Sequence, residues 1–125
     1  MKTAYNPKIV TAFLTWQGIP EPEYEYQFAK IIGRKWRFDL AWVLKEYPSV
    51  SDEVYNTNGK IVTRVAIEVQ GGLFVQGGHN RGAQIAKEHV KYTEAACMGW
   101  RILYCQPAEL CTVAFADQIK RALNL

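Results

Sequence analysis

The sequence predicts a single α/β domain, residues 1–125, with a mixed central sheet flanked by helices. Three observations carry this expectation. At 125 residues and 49% apolar content, the chain is long enough for one domain to bury its own core. Period-two alternation recurs around residues 23–30, 35–42 and 60–70, marking strands. A helical segment then separates the third strand from a fourth and is long enough for a right-handed crossover to a parallel neighbour. The predicted order is αβββαβα, with no repeat, linker or low-complexity segment.

The opening helix follows from Asn6-Pro7, a cap and a proline start, with Ile9, Val10, Phe13 and Leu14 at helical spacing before Gly18-Ile19-Pro20. Trp16 reads as a packing residue, because tryptophan is highly buried on average. From Glu23 to Lys30, Tyr24, Tyr26 and Phe28 share one face of a strand, opposite Glu23, Glu25 and Gln27. After Gly33 the alternation resumes. Trp36, Phe38, Leu40 and Trp42 are expected on the core side, with Lys35, Arg37, Asp39 and Ala41 opposite. The segment from Lys45 to Gly59 reads as a polar loop closing on the turn pair Asn58-Gly59.

The central strand spans Lys60 to Gln70. Its β-branched residues Ile61, Thr63, Val65, Ile67 and Val69 line one face, and Arg64, Ala66, Glu68 and Gln70 the other. Alternation therefore places Glu25, Asp39, Glu68 and Gln70 on one polar sheet face. The glycine-rich stretch Gly71 to Gly82 contains neither GxGxxG nor GxxxxGK[ST], which excludes a dinucleotide or P-loop fingerprint. Ala83 to Met98 reads as a helix with Ala86, Val90 and Cys97 inward and Lys87, Glu88, Lys91 and Glu94 on a polar stripe, stopped by Gly99. A strand over Trp100 to Cys105 follows. The last helix, Thr112 to Leu123, turns Val113, Ala116, Ile119 and Leu123 inward.

Lysine and arginine number 15 against 12 acids, for a net charge of +3, a weak indication of a polyanionic partner. Their placement says more. Lys30, Arg34, Lys35 and Arg37 crowd one segment, while Arg81, Lys87 and Lys91 follow the central strand. Cys97, Cys105 and Cys111 form no CxxC pair, so neither a disulfide framework nor a structural zinc site is expected, and they read as inert core thiols in a reducing cytosol. No apolar run approaches the roughly 18 residues of a membrane span, and the start lacks the apolar core of a signal peptide, so a soluble, unexported protein is expected.

Glu68 sits at the end of a buried strand, where desolvation favours the neutral acid. An ionised carboxylate there calls for a cation, a metal or several donors. Asp39 and Glu68 at strand ends suit a hard divalent cation, Mg2+ or Mn2+, with the Val69 carbonyl as a third ligand. Such an ion lowers the pKa of a water and stabilises charge on a phosphate in flight. Lys35, Arg37, Arg81, Lys87 and Lys91 would then hold nucleic-acid phosphates, with a grip that salt weakens. His79, in its loop, reads as a surface residue or phosphate contact before a general base.

The succession Arg37-Phe38-Asp39, Ile67-Glu68-Val69-Gln70-Gly71-Gly72, His79-Asn80-Arg81-Gly82, Lys91-Tyr92 and Gly99-Trp100-Arg101 resembles the PD-(D/E)XK nuclease superfamily. Within it, the chain is most similar to small phage-type and very-short-patch-repair-like endonucleases. The resemblance covers about residues 21 to 105 and lies in the order of short motifs. It implies a restriction-endonuclease-like αβββαβ core and metal-dependent cleavage of DNA in the cytoplasm of a bacterial or phage-infected cell. Asp39 and Glu68 become metal ligands, and Glu25 an additional acid. The superfamily's lysine, two positions after the second acid, is Gln70 here. Glutamine carries no ammonium, so either it orients water by hydrogen bonding or Lys87 or Lys91 from the following helix takes the role.

Other readings stand beside this one. Asp39 would also suit pairing with Lys35 or Arg37 on an exposed face, and Lys87 and Lys91 a solvated helix stripe. The whole chain also fits a nucleic-acid-binding module that keeps the fold without catalysis, or a structural domain with no metal affinity. A homodimer would suit cutting both strands, but nothing in the chain marks an interface.

Overall fold

Asn6 caps the first helix as its side chain dictates, accepting a hydrogen bond from the Lys8 amide at 2.9 Å. The computed structural model describes residues 5–46, 61–70 and 81–125. Helix α1 (Pro7–Trp16) ends in paired bonds from the Gly18 amide to Thr15 O and from Ile19 to Leu14 O. Gly18 is left-handed there, at φ +78°. Four strands follow in a single sheet ordered as in the sequence: β1 (Glu23–Gln27), β2 (Arg37–Glu46), β3 (Ile61–Val69) and β4 (Trp100–Cys105). The first two pairings are antiparallel and β3–β4 is parallel, joined across α2 (Arg81–Cys97). Helix α3 (Val113–Ala122) closes the chain, with Thr112 accepting from the Phe115 amide as its cap. The fold is thus mixed α/β with a four-stranded mixed sheet and three helices, in the predicted order.

Both faces of the sheet are covered. On one, Val10 and Leu14 of α1 and Phe115, Ala116 and Ile119 of α3 pack on Leu40, Trp42, Val65 and Ile67. On the other, Ala95 of α2 meets Ala41 and Ala66 beside an aromatic group of Phe28, Phe38 and Trp100. Three facing alanines let α2 lie close to the sheet. Trp42 donates from its indole to Pro20 O at 2.8 Å, and the Tyr24 hydroxyl donates to Pro7 O at 3.1 Å, tying α1 to the sheet. No helix of the described residues is long and apolar enough to cross a membrane.

Several expectations fail for identifiable reasons. Trp16 is 78% exposed, because Val10 and Leu14 already define the inward stripe of α1 and leave the Ile9–Trp16 stripe outside. Val113 is exposed, and Phe115 takes its place in the core. Helix α2 turns its predicted outer side inward: Ala95 is buried and Glu88, Lys91, Tyr92 and Glu94 are half-buried, while Ala86, Val90 and Cys97 face out. Cys97 and Cys111 are exposed, so only Cys105 is a core thiol, its pKa pushed up to about 12 chiefly by burial. β2 runs on to Glu46, into the segment read as a loop. The rest of that loop with Asn58-Gly59 and the glycine-rich stretch up to Asn80, His79 included, lie outside the described residues, as does the side chain of Arg81, whereas the backbone of Arg81 and Gly82 opens α2 two residues ahead of the expected Ala83.

Trp36, Phe38, Leu40 and Trp42 do not share one face. Leu40 and Trp42 join the α1–α3 side, whereas Phe38 and Trp36 join the α2 side. β1 does the same, with Tyr24 on one side and Tyr26 on the other. The reversal falls between register pairs Tyr24↔Leu40 and Tyr26↔Phe38, at the level of Glu25 and Asp39. Glu25 is left-handed, at φ +52°, which breaks the alternation that an ordinary strand would keep.

Candidate active site

The β2–β3 ladder runs from Glu46↔Ile61 to Leu40↔Ile67 and stops one pair short of Asp39 and Glu68. There the strands part, and the Asp39 side chain bridges the opening. Its Oδ2 accepts a hydrogen bond from the Val69 amide at 2.7 Å, a charge-assisted bond that satisfies an N–H the ladder no longer serves. Val69 therefore enters the site first through its N–H. The next amide, of Gln70, donates to Cys105 O at 2.8 Å, so β3 remains anchored to β4 just past the opening.

Glu68 follows the parity of Ala66 and faces α2, where the Lys91 ammonium lies 3.0 Å from Oε1. Lys91 and Glu68 side chains are only 17% and 12% exposed, so this is a partly desolvated ion pair rather than a solvated surface contact. The lysine reaches inward over aromatic surface, its Nζ 5.6 Å from the Phe38 ring centroid and 5.3 Å from that of Tyr92. Burial pushes the Glu68 carboxyl up to about 7. Lys91 opposes that rise by attraction and hydrogen bonding, and Asp39 adds to it by repulsion and by a hydrogen bond to the protonated form.

The structure thus brings together Asp39, Glu68, Val69 and Lys91. Gln70 stands half-buried at the end of β3. Lys87, one turn earlier on α2, is exposed, so of the two helix lysines it is Lys91 that meets the acids. Glu25 lies across from Asp39 on β1 but does not complete a ligand set: among the described residues, no three of His, Cys, Asp and Glu converge as a metal site. Of Glu25, Asp39, Glu68 and Gln70, expected on one polar face, Asp39 and Glu68 come within reach of a shared hydrogen bond, while the alternation behind that expectation breaks at left-handed Glu25 and at the reversal in β2. Lys35 and Arg37 are exposed at and before the start of β2.

Three tyrosines missed as site residues border the acids. Burial raises the Tyr92 hydroxyl, with Glu68 the next cause, and Tyr104 is raised in the same way. Their rings meet edge-on, with centroids 5.6 Å apart. Tyr5 is raised by burial and then by Asp39 and Glu25. Tyr92, one residue after Lys91, carried the only sequence signal among them. Grooves of about 710 and 510 Å3 lie beside α3, sharing Phe115, Gln118 and Arg121, and neither includes a predicted site residue.

The donor set tests the fit of a divalent cation. Asp39 Oδ2 is bonded to Val69 and Glu68 Oε1 to Lys91, and the two carboxyl groups lie within hydrogen-bonding reach of each other, where a cation would replace the proton they share. Two hard oxygens are few for Ca2+, but Mg2+ is commonly held by one or two carboxylates plus waters and substrate phosphate oxygens. The residues fit such an ion. No protein-family model matches the chain, and no curated protein or solved structure matches it either.

Proposed function

We propose that the chain is a metal-dependent DNA endonuclease on a restriction-endonuclease-like αβββαβ core, hydrolysing phosphodiester bonds at Asp39, Glu68 and Lys91. The supporting observation is the convergence of two carboxylates and one ammonium where β2 and β3 part, with Lys91 Nζ 3.0 Å from Glu68. Asp39 and Glu68 would hold a divalent cation, which when bound would supply Lewis acidity and a water of lowered pKa. Asp39 is held in place by the Val69 amide, and the Val69 carbonyl is the third oxygen donor of this reading. Lys91 holds Glu68 toward its ionised form and stands where an ammonium can stabilise charge on the phosphate, the role left open by Gln70. The Gln70 amide, with donors and an acceptor, orients the attacking water. The water oxygen forms the new P–O bond and gives up a proton to solvent, as the ester oxygen departs with its bonding pair and takes up a proton from solvent.

The test is cleavage of supercoiled plasmid and of branched DNA across a Mg2+ and Mn2+ titration. Asp39→Asn and Glu68→Gln should abolish metal-dependent cutting. Lys91→Ala should lower the rate on the order of a hundredfold, as expected for one preorganised electrostatic group, with Lys87→Ala within a few-fold of the parent. A wild-type chain that binds DNA with steep salt dependence yet never cuts is instead the non-catalytic binding module.

A further inference from the structure

We propose that the turn between β1 and β2, residues 30–33, is a wedge that enters duplex DNA and places Ile31 at an opened base step, a proposal that rests on the nuclease reading above. Ile31 is 89% exposed and Ile32 45%, two adjacent branched aliphatics at the tip of a single 3-10 turn. The turn is held rigidly. The amides of Ile32 and Arg34 both donate to Ala29 O, at 3.2 and 3.1 Å, and the amide of left-handed Gly33 donates to Lys30 O at 2.9 Å. Ala29 is fully buried, and Phe28 beside it stacks on Phe38 with ring centroids 4.0 Å apart. The isoleucines are therefore presented by a rigid base, so little ordering cost remains on binding.

The surroundings of the tip select the partner. Lys30, Arg34, Lys35 and Arg37 flank it, all exposed, and the Arg34 guanidinium lies 4.8 Å from the centroid of the Trp36 ring. Among the described residues none of the four is in an ion pair with an acid. An apolar tip ringed by cations fits a polyanion that offers an apolar interior, which is the chemistry of an opened base stack between two phosphate strands. An anionic lipid surface offers a related chemistry. DNA is favoured because the turn runs directly into the site: Asp39 is two residues, about 7 Å of strand, beyond Arg37, and Lys91 packs against the ring of Phe38. A duplex gripped at this turn lies within reach of the carboxylates.

The full chain in EDTA is titrated against duplexes carrying 2-aminopurine at successive positions, reading anisotropy and the fluorescence rise that accompanies unstacking. Wild type should bind and raise the fluorescence. Ile31→Ser should remove that rise and weaken binding about tenfold, the loss of one buried aliphatic side chain, with the salt slope unchanged. Arg34→Ala and Lys35→Ala should each lower the slope by about one. Equal affinity and fluorescence in Ile31→Ser overturn the wedge, as does Ile31-dependent sedimentation with phosphatidylserine vesicles in a chain that does not bind duplex. Plasmid cleavage in Mn2+ separates the two proposals. Ile31-dependent unstacking without cutting sinks the nuclease and leaves the wedge, whereas undiminished cutting by Ile31→Ser sinks the wedge alone.

Discussion

Glu68→Gln should stabilise the protein at alkaline pH and leave it unchanged in acid. The Glu68 carboxyl is raised from 4.5 to about 7, chiefly by burial. A folded-state pKa above the unfolded one means that the fold binds this proton more tightly. The resulting stability is fully present below about pH 4.5 and disappears as pH rises through about 7. A displacement of that size corresponds to roughly 3 kcal/mol. Glutamine keeps the shape and can still accept from Lys91, but never ionises. Denaturant unfolding in EDTA, from pH 4.5 to 8.5, should therefore give a difference between variant and wild type that grows from near zero to as much as about 3 kcal/mol. Other titrating groups are common to both chains and cancel in the difference. Saturating Mn2+ at pH 8 should then stabilise wild type, by about 2.7 kcal/mol at a hundred times Kd, and do little for the variant. Parallel pH curves for the two chains would refute the burial argument, and equal responses to Mn2+ would refute Glu68 as a ligand.

Three further outcomes follow from the same geometry. Lys91→Met removes the cation that lowers Glu68, so the Glu68 carboxyl, followed by carbon-detected NMR, should titrate above its wild-type value; an unchanged titration would dissolve the ion pair. At left-handed Glu25, glycine should be about 1 kcal/mol more stable than alanine in thermal melts, the reverse of the order at an ordinary strand position. Trp16→Ser should shift stability by less than about 0.5 kcal/mol, whereas Leu14→Ala should cost about 2–5 kcal/mol; similar losses at both would place Trp16 in the core after all.

The order of elements was legible because alternation and helical spacing report which backbone a segment can use, and a helix between β3 and β4 leaves a parallel pairing as the natural outcome. The sides of those elements were less legible. In α2, a stripe containing Lys87, Glu88, Lys91 and Glu94 looks solvated, yet the helix approaches the sheet through Ala95 and sends the Lys91 stem over Phe38 and Tyr92. Residue type alone does not report that a buried acid waits for that lysine. In β1 and β2, alternation assumes ordinary φ values, so the left-handed residue at Glu25 and the reversal at Asp39 escape it. Glu68 was singled out because a carboxylate at the end of a buried strand needs a reason, and Asp39 because it ends a neighbouring strand. Tyr5 and Tyr104 carried no such mark, being ordinary aromatics whose significance comes only from their neighbours.

The opening of the sheet and the placement of the acids are one feature. Had β2 and β3 continued to pair, Asp39 and Glu68 would stand directly opposite, with Cβ atoms about 4.5–5.5 Å apart and like charges facing. Where the pairing stops, Asp39 accepts from the Val69 amide and Glu68 from Lys91, yet the two carboxyls remain within hydrogen-bonding reach, and Asp39 raises Glu68 as burial does more strongly. One lysine leaves two ionised carboxylates with a net negative charge, which a proton balances and which, under the proposed function, a divalent cation would balance. An uncharged side chain at position 68 would serve the fold better above neutral pH, by the margin argued for glutamine. Glu68 thus opposes stability above neutral pH, and under the proposed function Glu68→Gln should gain stability while losing cleavage.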